Sequence, residues 1–228
     1  MFRAGAVSVG ATATVNADEA GYRWLDGNTP PLAPGIGYSF SQGASHGGLG
    51  KNAAETKKYG FANAPIEPGS PNGNYNQLIG NCYNPGGLIR IHARTMSVAG
   101  TLTASTKDGN LTMGGPSGGG IWLTADEFDF AATAVLAAHG GQSNYDYSMG
   151  GGGRIAVSTG LTEAQYDGLV ADGKIRRRVY DVDAFTNAFP GVTVDVRGGA
   201  YNTDATKRAE AGTFVYLPEP PGLMLLVK

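Results

Sequence analysis

The chain has 228 residues, a net charge of -2 and 41% apolar residues, enough for one large domain or two small ones around a sizeable core. Glycine accounts for 37 residues and charged side chains for only 16%, which favours short strands and tight turns over helices and supplies no field to attract nucleic acid or an anionic membrane. Cys82 is the single cysteine, so an internal disulfide and any zinc site built from several thiolates are excluded.

From the N-terminus, "MFRAGAVSVGATATV" alternates small and β-branched residues, the period of a strand, and lacks the continuous apolar core of a secretion signal. The expectation is that a signal was removed or that the chain begins inside a longer protein. Residues 21–85 form a long insertion dense in Gly, Pro, Asn and Ser. A structureless loop of that length is uncommon, which predicts an ordered lid packed on the remainder.

The next segments repeat. "GGLIRIHARTMSVAGTLTAST" (86–106) and "GGGIWLTADEFDFAATAVLAAHG" (118–140) share a glycine cluster followed by matched apolar places. Ile89, Ile91 and Ala93 answer to Ile121, Leu123 and Ala125, and Met96 and Val98 to Phe128 and Phe130. Thr101, Leu102 and Ala104 then answer to Thr133, Val135 and Ala137 across a one-residue insertion. "GGGGRIAVST" starts a third copy with Ile155 and Val157, so the repeats lie 32 and 34 residues apart at Ile89, Ile121 and Ile155. Such a period marks stacked arrays. Val7 and Val9 take the parts of Met96 and Val98 in an N-terminal half-copy, and "GTFVYLPEP" (212–220) opens another first strand. Successive copies stacked in parallel would bury apolar faces that no single copy can cover. The glycines are expected to turn corners at positive φ and to let neighbouring copies approach.

Residues 161–174 read as the one helix, with Thr162 and Gln165 as a capping box and Gly173 as the stop. Val179 to Phe185 and Val192 to Val196 alternate like strands. The basic run 175–179 reads as a solvated strand edge. These elements predict an all-β chain, a right-handed parallel β-helix or β-solenoid with long loop insertions and one short α-helix. Residues 1–217 form its single domain, with 21–85 and 161–174 as insertions.

The order "GASHGGLG", "YGFANAPIEPGS", "GGLIRIHA", "GTLTAS", "SGGGIWLTAD" and "GGGGRIAVST" resembles the glycine-rich repeat region of large bacterial exported and surface proteins, many of which end in a PEP-type sorting tail. The C-terminal "LPEPPGLMLLVK" (residues 218–228 with Leu217) is similar to the start of that tail, with Pro218, Glu219 and Pro220 as the tripeptide. The apolar stretch that follows is too short to cross a bilayer. The resemblance implies a β-solenoid stalk without catalytic activity, exported to the cell surface or extracellular space. A surface glycan or the extracellular matrix, and self-association, are the partners considered; no nucleic acid partner and no membrane span are expected.

Parallel β-helices also carry polysaccharide lyases and hydrolases, which work with two carboxyls about 5–10 Å apart. Asp126 and Asp129 cluster after Ala125, and Asp181 and Asp183 are expected on one face of a strand, so these four are the catalytic candidates. Solvated strand faces carry acids as a matter of course, and fold alone licenses no activity. His46, His92 and His139 are too scattered for a zinc site. "DVDAF" and "STKDGN" lack the spaced oxygen donors of a calcium loop, and no phosphate-binding fingerprint is present. No metal or cofactor is therefore expected. Trp122, which alternates outward between Ile121 and Leu123, and the corner-loop residues Tyr145 and Tyr147 are candidates for stacking on a sugar; against this, Trp122 packed under the insertion leaves no bare apolar surface. The sequence thus points to a structural or adhesive segment, with a carbohydrate-active enzyme and a self-assembling extracellular filament subunit as alternatives.

Overall fold

The computed structural model describes residues 1–23, 31–37, 41–72, 83–106, 114–202 and 204–219; Cys82, most of "STKDGN" and Pro220 with the tail beyond it lie outside the described residues. In chain order the strands are β1 (Phe2–Val9), β2 (Thr14–Asn16), β3 (Leu88–Val98), β4 (Thr101–Thr103), β5 (Gly120–Phe130), β6 (Val135–Ala137) and β7 (Arg154–Thr159). Helices α1 (Glu163–Asp172) and α2 (Val182–Ala188) follow, then β8 (Thr193–Asp195), β9 (Ala200–Tyr201), β10 (Asp204–Arg208) and β11 (Thr213–Leu217).

From β1 to β7 the chain alternates between two parallel sheets, the first ordered β1-β3-β5-β7-β11 and the second β2-β4-β6-β8. Hydrophobic period sets the register, because a slip of one residue would turn every apolar side chain to the wrong face. Ile89, Ile121 and Ile155 are ladder partners in adjacent strands, as are Ile91, Leu123 and Val157. Val7 pairs with Met96 and Val9 with Val98, the half-copy read from the sequence. In the second sheet Leu102 pairs with Leu136 and Thr103 with Ala137, not with Val135 and an offset neighbour. The corner Ala131–Ala134 holds two extra residues, one more than expected, which brings the larger Leu136 inward.

The main core lies between the sheets and is built from these columns, with Leu102, Leu136, Phe130 and Phe185 buried among them. Each fully buried aliphatic side chain stabilises the fold by roughly 1.5–3 kcal/mol. β5 is buried on both faces over its first six residues, as a central strand of a covered parallel sheet should be. Its outer face meets a second core in which Trp122, Ala156, Val215 and Leu217 pack under Tyr166 and Leu169 of α1 and Ala64 of the insertion.

This arrangement corrects the all-β expectation of a right-handed parallel β-helix. Two α-helices occur among the described residues and both carry core aromatic or aliphatic side chains, giving an α/β-type fold of parallel sheets with packed helices. The stretch 179–185 misleads because its alternation suits a strand, yet the Asp181 carboxylate accepts a hydrogen bond from the Ala184 amide at 3.1 Å and caps α2. Helical winding then places Phe185 in the main core, against Phe130, Phe189, Phe214 and Tyr216. The basic run 175–179 is likewise no strand edge: Arg177 donates to the carbonyls of Thr159, Gly160 and Pro218, and Arg178 lies over the Tyr180 ring. Helix α1 matches its expectation, with the Thr162–Gln165 capping box and Gly173 at φ 70°.

The glycine clusters work by close approach. Among the described glycines only Gly60, Gly160, Gly173 and Gly191 have positive φ, and none of them sits in the repeated clusters. Instead, a Cβ on Gly119 would lie 2.0 Å from the Gly87 carbonyl oxygen, and one on Gly153 2.1 Å from that of Gly119. The same clusters carry ladder-like bonds, Gly120 N to Gly87 O at 2.9 Å and Arg154 N to Gly119 O at 2.9 Å. Side chains there would force the stacked backbones apart and break those bonds.

Candidate functional site

Described parts of the insertion pack on these glycine stacks through a buried polar cluster. The His46 ring is fully buried; its Nδ1 donates to the Gly118 carbonyl at 3.0 Å and the ring stacks on Tyr59 at 4.6 Å. Tyr59 donates to the Pro68 carbonyl at 2.6 Å and accepts from Ser70 Oγ at 2.9 Å, while the Ser70 amide donates to Ser117 Oγ at 2.8 Å. Arg154, at the start of β7, donates to the Tyr59 carbonyl at 2.9 Å and to Thr213 Oγ1 at 3.0 Å. Burial, reinforced by the Arg154 charge, lowers the His46 pKa to about 3 and keeps the ring neutral. Burial also raises the Tyr59 phenol, despite the opposing Ser70 hydrogen bond. His46 Nε2 and Glu67 Oε2 have no hydrogen-bond partner, and both face Gly60, whose Cβ would stand 3.2 Å from Glu67 Oε2 and 3.6 Å from His46 Nε2. The cluster fastens insertion to stack.

The four candidate acids sit on two elements. Asp126 and Asp129 are exposed near the end of β5, Asp181 caps α2, and Asp183 is exposed in the first turn of that helix. The expected shared strand face for Asp181 and Asp183 is absent because the segment is helical. No hydrogen bond joins any two of the four.

Trp122 is fully buried, stacked on Tyr166 at 4.8 Å with Arg90 over its ring at 4.9 Å. It therefore cannot meet a ligand: of the two readings, packing under the insertion is the one found, with α1 completing the cover. His92 is half-buried, 2.7 Å from Thr124 Oγ1 and edge-on to Tyr166. Pro218 and Glu219 follow β11 directly, and the Pro218 carbonyl accepts from Arg177.

Tyr145 and Tyr147 do come together. Their rings stack at 5.2 Å with Tyr145 42% exposed, on a loop held to the fold by Tyr145 N to Ser143 Oγ (3.0 Å) and Asn52 Nδ2 to the Tyr147 carbonyl (3.2 Å). Desolvation, with Tyr145 and Asp146 beside it, raises the Tyr147 phenol above its ordinary range. Beside the loop, Lys51, Lys207 and Arg208 converge with Asp146 around a cavity of about 290 Å3. Sequence reading missed these three cations, which lie in separate segments with no local signal.

No group of three or more His, Cys, Asp or Glu side chains suited to a metal ion occurs among the described residues, and no helix among them is long and apolar enough to cross a membrane. Comparison with known proteins finds no matching family model, no matching curated protein and no matching solved structure.

Proposed function

We propose that this chain is a non-catalytic structural and adhesive segment of an exported, cell-surface or extracellular bacterial protein. The observation that carries the reading is the stacked pair of exposed Tyr145 and half-buried Tyr147 on a loop tethered to a tightly hydrogen-bonded stack. Aromatic rings held rigid at a surface gain contact area with little loss of side-chain entropy, and a stack of parallel strands resists deformation. In the test, beads carrying the protein are presented to a glycan array, and both retention and release of sugar products are measured. Retention without product, lost in Tyr145→Ala/Tyr147→Ala, is expected. Product that vanishes in Asp126→Asn, Asp129→Asn or Asp183→Asn refutes the reading.

Self-association as a filament is a second reading, favoured by the free edges of β1 and β2. Each pairs on one side only among the described residues, Phe2 is 58% exposed, and a groove of about 620 Å3 lined in part by Val7, Val15 and Ile89 opens beside them. Unpaired edges template pairing with another chain. Sedimentation of the chain decides it: polymers that Val7→Lys disperses support the filament, and a monomer at every concentration rejects it.

A further inference from the structure

We infer that the cavity beside the tyrosine pair is a binding site for an acidic saccharide, one that carries carboxylate or sulfate groups; the inference rests on the adhesive reading of the same loop. The cavity is lined by Lys51, Asp146, Met149, Thr206, Lys207 and Arg208. Three cations against one anion is a local excess of positive charge on a chain whose net charge is -2. Tertiary structure gathers them: Lys51 comes from the insertion, Asp146 from the tyrosine loop, and Lys207 and Arg208 from β10.

The segments are joined by backbone bonds, Lys51 N to the Met149 carbonyl at 2.8 Å and the Asn202 amide to the Ser143 carbonyl at 2.8 Å, so the charges ride on a connected frame. Three other cations are paired: Lys58 lies 2.8 Å from Glu210, Lys174 3.4 Å from Asp172 and Arg197 3.2 Å from Asp195. No ion pair involves Lys51, Lys207 or Arg208 among the described residues. Asp204, also on β10, accepts hydrogen bonds from the Thr206 amide and hydroxyl, at 2.9 and 2.6 Å, and its carboxylate offsets part of the Lys207 charge. Arg208 spends one donor on the Gly198 carbonyl at 3.1 Å and keeps others, since a guanidinium carries five. Lys207 stands over the Tyr201 ring at 5.2 Å.

The cavity is near the lower end of the ~300–1,000 Å3 usual for small-molecule clefts, a size for a sugar unit and not for a large cofactor. Cations recognise carboxylate or sulfate through charge-assisted hydrogen bonds, and the neighbouring tyrosines offer a face to the ring carbons of the next unit. Both halves of an acidic sugar chain, its charges and its apolar ring faces, thus have a counterpart within one loop cluster.

Isothermal titration at low ionic strength tests this with four probes: an oligogalacturonate, the same oligomer fully methyl-esterified, a chondroitin sulfate oligomer and poly-glutamate. Expected are binding of one or both acidic sugars, at least about tenfold weaker binding of the ester, and a loss of about tenfold in Lys51→Gln/Lys207→Gln, equivalent to about 1.4 kcal/mol. Which acidic sugar binds separates carboxylate from sulfate as the recognised group. Unchanged melting temperature in the double variant shows that it is folded. Equal binding of acid and ester, or wild-type binding by the double variant, overturns the inference and leaves adhesion through the tyrosines standing. Poly-glutamate binding as tightly as the sugars overturns the saccharide assignment. No binding of any sugar oligomer, with none lost in Tyr145→Ala/Tyr147→Ala, sinks the adhesive reading itself.

Discussion

Acidification should unlock the insertion through His46. The ring is completely buried, and its pKa falls from 6.5 to about 3 in the folded state, chiefly through burial and secondarily through Arg154. A depressed folded pKa means that the unfolded chain binds the proton first. The stabilisation from the neutral ring is therefore whole above pH 6.5 and is lost as pH falls from there toward 3. At about 1.4 kcal/mol per unit, the ceiling is roughly 5 kcal/mol, with roughly 2 kcal/mol already gone at pH 5. Urea unfolding of wild type and His46→Gln at several pH values between 7.5 and 4.5 isolates this effect, because the other titrating groups are common to both. Wild type starts the more stable, since the variant disturbs the Gly118 bond and the Tyr59 stack, and their difference should shrink by about 2 kcal/mol between pH 7.5 and 5. Parallel profiles, or a His46 ring resonance that titrates near pH 6.5 in the folded protein, would refute the assignment of a buried neutral imidazole.

Gly153→Ala places a Cβ 2.1 Å from the Gly119 carbonyl oxygen and should cost about 3 kcal/mol or more by urea unfolding, through overpacking of backbone against backbone. Gly168→Ala, on α1 with nothing within 4 Å of its Cβ, should by contrast stabilise by about 0.5–1 kcal/mol in the same assay. Asp181→Ala removes the α2 cap and should cost about 1 kcal/mol, most of it restored in Asp181→Asn; equal losses in both would mean that the cap is idle. Trp122→Ala opens the second core between Tyr166 and β5 and should cost about 3–5 kcal/mol by denaturant titration.

The strands of the first sheet and their register were written in the sequence because an apolar residue at every second place has only one face to bury. Ile89, Ile121 and Ile155 could be aligned by eye, and the alignment of Val7 with Met96 followed from the same period. The α1 cap was equally local, needing only Thr162, Gln165 and Gly173. Where two local signals competed, the sequence could not arbitrate: Val179 to Phe185 has the alternation of a strand, but the Asp181 cap and the place waiting for Phe185 among Phe130, Phe214 and Tyr216 make it helical. The glycines announced that something was unusual at the corners, yet whether they served dihedral freedom or close packing depended on the distance to a neighbouring backbone many residues away. Burial of Trp122, the locked His46 and the meeting of Lys51 with Lys207 and Arg208 are contacts between distant segments. No periodicity encodes such contacts, so only the folded chain decided them.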